Sequence, residues 1–88
     1  MQPILKKLPP ALRDMQERRI LHRLWNAWLV QVSESEWSQF NALRFAFAPR
    51  QPCSGTRLIR ACQGDPYLAS QLPQSLKERL REASLLAV

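Results

Sequence analysis

Glycine is scarce in this chain, with two in 88 residues, and neither Asn-Gly nor Gly-Gly occurs. The tight two-residue turns that close β-hairpins therefore lack their usual chemistry, which argues against a sheet-rich fold. Histidine is represented by His22 alone, and cysteine by Cys53 and Cys62. Two thiols and one imidazole do not complete a four-ligand zinc site, and their spacing is not CxxC. No run approaches the roughly 20 apolar residues that cross a bilayer. The opening stretch from Met1 to Lys7 lacks the apolar segment of a secretory leader. The expectation is a cytoplasmic protein with reduced, mostly buried thiols, a Cys53–Cys62 disulfide being the disfavoured alternative.

Catalytic signatures are missing as well. There is no HExxH pair, no glycine loop to cradle a phosphate and no matched pair of carboxylates. Any acid–base or nucleophilic chemistry would have to use His22. The positions one turn away on either side are Arg18 and Asn26, neither of which orients an imidazole as a carboxylate does. The sequence reads as a non-enzymatic protein that needs no cofactor and no metal.

What is present is apolar, aromatic and basic. Hydrophobic residues make up 45% of the chain, with three Trp, three Phe and one Tyr. That is enough for one small core and leaves little room for a second, so residues 1–88 read as a single domain. Residues 1–9 read as a flexible or extended N-terminal arm. The net charge is +6, and ten of the thirteen basic residues are arginine. Such a balance favours acidic partners: nucleic acid, anionic lipid or an acidic protein.

Pro9 and Pro10 set a helix start, since proline in the first turn costs no amide bond. Residues 11–32 then run without glycine or proline. Helical spacing puts Leu21, Leu24, Trp25, Trp28, Leu29 and Val32 on one face, with Gln16, Arg19, Arg23 and Asn26 opposite. Asp14, Glu17 and Arg18 continue the apolar face, which therefore leaves the core before Leu21. Asp14 and Arg18, four apart, fit an ion pair. Ser33 and Glu36 have the spacing of a capping box, opening a second helix to about Ala48. Trp37, Phe40, Leu43 and Phe47 form its stripe. Arg44 falls within that stripe, placed to lie over an aromatic face, and Phe45 falls off it.

Pro49 ends this helix. A short helix over residues 56–63 ends at Gly64 as its C′ residue. Asp65-Pro66 starts another over 67–72. Ser75 with Glu78 forms a second capping box, opening a C-terminal amphipathic helix with Leu76, Leu80, Ala83 and Ala87 on one face. The fold class is all-α: a small bundle of four to five helices. The second helix is expected antiparallel to the first, and successive helices are expected as neighbours because the connections are short.

The first functional reading is a small adaptor or regulatory subunit that grips a protein partner, or a larger assembly. Three tryptophans are many for so small a core, and Trp and Arg dominate interface anchors. The assigned residues are Phe45, Arg44 and Trp37 on the second helix, with Arg18 and Met15 on the uncovered start of the first. The second reading is a nucleic-acid-binding accessory protein. In it Lys6, Lys7, Arg13, Arg19, Arg23, Arg50, Arg57 and Arg60 contact phosphates. A helix-turn-helix over 57–72 is a poor base reader, because Pro66 and Pro73 bracket a helix offering only Ser70 and Gln71. A membrane-surface helix fits least, since the basic residues lie opposite the apolar stripe and do not flank it. A homo-oligomer is compatible with the same apolar surfaces.

Overall fold

The computed structural model describes residues 9–51 and 53–86, and the protein is all-α. Five helices follow in order among those residues: α1 (Pro10–Gln31), α2 (Glu34–Phe47), α3 (Gly55–Gln63), α4 (Pro66–Ser70) and α5 (Gln74–Glu82). Apart from Pro9, the expected N-terminal arm lies outside the described residues, as do Lys6, Lys7 and Ala87. No helix among the described residues is long and apolar enough to cross a membrane.

Four helix starts are local. Pro10 occupies the first position of α1. The Ser33 hydroxyl accepts the Glu36 amide at 3.2 Å, and Ser54 accepts the Arg57 amide at 3.3 Å. The Asp65 carboxylate accepts the amides of Tyr67 and Leu68 at 3.1 and 3.2 Å. The fifth start is tertiary. Pro73 precedes α5 and supplies no side-chain bond. Glu36 of α2 fills the gap, accepting the Ser75 amide at 3.1 Å and the Ser75 hydroxyl at 2.9 Å. The same hydroxyl accepts the Trp28 indole N–H at 2.9 Å.

Neither expected capping box therefore closes. Glu36 is drawn away from Ser33 by the free amides and positive end of α5. Ser75 lies inside the first turn and not at the cap, and Glu78 accepts from Gln74 at 3.1 Å.

The core collects Leu21 and Trp28 from α1, Phe40 and Leu43 from α2, and Leu58, Ile59 and Cys62 from α3. Ala69, Leu72, Leu76, Leu80 and Leu85 complete it from the C-terminal third. The closest neighbours of α1 are α3 and α5. By contrast α1 and α2 meet through rings: Trp25 and Trp28 lie 5.2–6.4 Å, centroid to centroid, from Trp37 and Phe40. Their bulk holds the two backbones apart although only Val32 and Ser33 join them, so these successive helices are neighbours through their side chains. Trp25 also covers Gly55, where a Cβ would overlap its indole ring. The missing side chain is what lets α3 approach α1.

Three further expectations are corrected. Gly64 is the C-cap of α3 with φ −99°, so it does not take the left-handed conformation. That conformation falls on Ser84, φ 58°. There the Ser84 amide reaches the Arg81 carbonyl at 3.0 Å and Leu85 reaches Leu80 at 2.8 Å, a Schellman closure that delivers Leu85 to the core. Finally, Leu29 and Phe47 are exposed. The tryptophans fill the space beneath α1 before Leu29 can enter, and Phe47 is the last residue of α2. The disfavoured disulfide is absent: Cys53 and Cys62 are both free.

Candidate functional site: the edge between α1 and α2

Two strips of residues define this edge. On α1, Met15, Arg18, His22, Trp25 and Leu29 recur at intervals of three and four; on α2 and its cap, Glu34, Trp37, Asn41, Arg44 and Ala48 do the same. Such spacing keeps side chains in one row along a helix. The Trp25 and Trp37 rings, 6.4 Å apart, bring the rows side by side. The opposite flanks are occupied. Ile20 and Leu24 of α1 border a cleft against α5, while Gln39 of α2 donates to the Gln71 carbonyl at 3.3 Å.

The edge is apolar and open. Met15, His22 and Leu29 are exposed, and Phe45, one step outward from Arg44, is 50% exposed. Trp37 is half-buried and stacked on Phe40 at 15°. Most of its surface is therefore committed to the aromatic cluster.

Arg44 carries the unusual feature. Its guanidinium carbon lies 5.7 Å from the centre of the Phe45 ring, not over Trp37 or Phe40 as its place in the stripe suggests. The faces of those two rings are taken by each other and by Trp25 and Trp28. Arg44 is half-buried, and its Nε is sealed from solvent without a hydrogen bond. Asn41 Oδ1, one turn earlier, is in the same condition. A buried donor and acceptor left unpaired cost about 1–3 kcal/mol each, more for a charged group, and native structures hold few of them.

Asp14 anchors the far end. It accepts from Arg18 Nε at 2.9 Å and from Arg60 of α3 at 2.8 Å. The Arg60 hydrogen bond is the main reason its carboxyl sits below the usual 3.8, with the charges of Arg18 and Arg60 adding to it against partial desolvation. Arg60 thus partly covers the start of α1, while residues 10–13 and Met15 stay exposed. With Asp14 matched twice over, the edge keeps a cationic bias from Arg18 and Arg44, and Glu34 is its acid at the opposite end.

The arginines of the phosphate-binding reading are distributed over α1, the loop after α2 and α3. Arg19 and Arg23 face outward from α1 with Asn26. Arg13 is exposed on the row of Ile20 and Leu24, and Arg23 borders the α1–α5 cleft beside Arg79 and Glu82. Arg50 is exposed in the loop after α2. Arg57 and Arg60 line a groove of about 870 Å³ with Phe47 and Cys53. Lys6 and Lys7 lie outside the described residues. The stripe that would enter a membrane surface contributes Leu21 and Trp28 to the core.

Cys62 offers no nucleophile. Burial above all, then the charges of Asp65 and Cys53, push its thiol up to about 11. Sequence reasoning assigned Phe45, Arg44, Trp37, Arg18 and Met15 to partner binding but overlooked Asn41, His22 and Leu29 on the same edge. The three-and-four spacing of residues 34–48 was the signal available for Asn41. Comparison with protein-family models, curated proteins and solved structures finds no match to this chain.

Proposed function

We propose that this chain is a small adaptor or regulatory subunit that binds a protein partner along the α1–α2 edge and catalyses no reaction. The observation that carries the reading is the pair Arg44 and Phe45: an exposed ring, with a cation resting on it whose Nε has no partner. Aromatic and arginine side chains of this kind dominate interface anchors, and Met15 and Leu29 extend the apolar area beside them. The two free thiols suit a reducing, cytoplasmic setting.

The nucleic-acid reading retains one supporting observation. Arg13, Arg19 and Arg23 are exposed and make no ion pair among the described residues. Fluorescence anisotropy of labelled duplex DNA and single-stranded RNA separates the two readings. The adaptor reading predicts binding at low salt at most, vanishing at physiological salt. Binding that persists at physiological salt and falls steeply with added salt contradicts it and moves the function to the arginine face of α1.

A further inference from the structure

Resting on the adaptor reading, we infer that the occupant of the α1–α2 edge is an amphipathic helix with carboxylates flanking its apolar seam, one of which takes Arg44 from Phe45. The geometry comes first. Two parallel rows at three-and-four spacing form the two walls of a seam, and a third helix with the same spacing nests between such rows. Met15, Leu29 and Phe45 supply exposed apolar surface along it.

Charge selects the helix. Arg44 stands on the seam with no ion pair among the described residues, Arg18 and Arg60 together outweigh the one carboxylate of Asp14, and Glu34 is the acid at the opposite end. The chain as a whole carries +6, so a second copy brings repulsion where an acidic helix brings attraction.

Arg44 supplies the specific step. In its present position, among the described residues, Nε forms no hydrogen bond and the guanidinium rests on the Phe45 ring. A carboxylate arriving over Phe45 accepts two parallel N–H bonds from the guanidinium, the arrangement arginine is built for. The move leaves Phe45 open to the apolar seam of the incoming helix. Arg44 and Phe45 therefore act as one element: the charge is claimed and the ring is released together.

The test uses synthetic helical peptides as probes, one with leucines at the seam and glutamates flanking it, one with lysines in place of the glutamates, and one scrambled. Binding is read by anisotropy of each labelled peptide against the full chain. The Glu-flanked peptide is expected to bind at least about tenfold tighter than the Lys-flanked one. Arg44→Gln is expected to remove most of that preference without lowering the thermal midpoint, and Phe45→Ala to weaken binding of both peptides. Equal binding of both charged peptides, weakened by Phe45→Ala, overturns the acidic assignment but leaves the adaptor reading standing. An affinity unchanged in both variants overturns the seam as the site. Failure of all three peptides, with an oligonucleotide binding at physiological salt, overturns the inference and the adaptor reading together.

Discussion

Residue by residue, the tryptophans and phenylalanines divide into those that hold the fold and those that are left over. Trp28 is 1% exposed, shares rings with Trp25, Trp37 and Phe40, and hydrogen-bonds to Ser75. Trp28→Ala is expected to cost about 3–5 kcal/mol, enough to unfold much of so small a domain. Phe45→Ala removes a half-exposed ring outside the core and is expected to cost less than about 1 kcal/mol. Urea denaturation followed by far-ultraviolet circular dichroism measures both, and a large loss in Phe45→Ala would place that ring in the core. Gly55 gives a sharper test of packing. A Cβ there meets Trp25, with Cζ3 at 2.9 Å and nearer ring atoms overlapping. Gly55→Ala is therefore expected to destabilise by about 1–3 kcal/mol although alanine is the better helix former. An unchanged or raised midpoint would show that Trp25 does not rest on α3.

At the scale of elements, two polar ties bind helices distant in sequence. α5 has no cap of its own and borrows Glu36. Glu36→Ala is expected to cost about 1–2 kcal/mol and to raise hydrogen exchange most in the first turn of α5. Exchange rising in α2 alone would mean that Glu36 serves only its own helix. Asp14 ties the start of α1 to α3 through Arg60. Its folded carboxyl is depressed below 3.8, so the stabilisation is present above the unfolded value and is lost as pH falls through the folded one. Exchange protection of residues 10–20, relative to the unfolded chain at the same pH, is therefore expected to fall below about pH 4 and to be low at every pH in Asp14→Asn. A wild-type exchange pattern in that variant would remove the tie.

These same elements show what the sequence made legible. Pro10, Ser33 and Asp65 mark their helices in place, because proline and capping side chains act within a few residues. The glutamate of the Ser33–Glu36 spacing was misassigned because a competing helix end, 39 residues on, claims it in three dimensions. Gly64 misled for a related reason: residue type proposed a left-handed closure that the chain makes at Ser84. In the candidate site, Phe45 was legible because it falls off a helical stripe. Asn41 and the unpaired Nε of Arg44 were not, since burial without a partner exists only once the neighbours are assembled.

The whole molecule is longer than a compact chain of its size. Its radius of gyration is 13.6 Å and its extents are 40 × 27 × 21 Å, against about 12 Å for a compact domain of this length. The excess follows from α1, about 33 Å long at helical rise, whose first three turns bury no residue fully. An elongated basic body with one long, half-covered helix presents an open edge, the surface on which the proposed partner helix would lie. The measurement that tests this most directly is a nitrogen–proton NMR titration with the Glu-flanked peptide, following backbone amides and tryptophan indoles. The account predicts shifts concentrated at Met15, His22, Leu29, Trp37, Asn41 and Arg44, with Arg19, Arg23 and Arg57 silent. Shifts gathered instead at Phe47, Arg57 and Arg60 would contradict it and move the interface to the groove between α2 and α3.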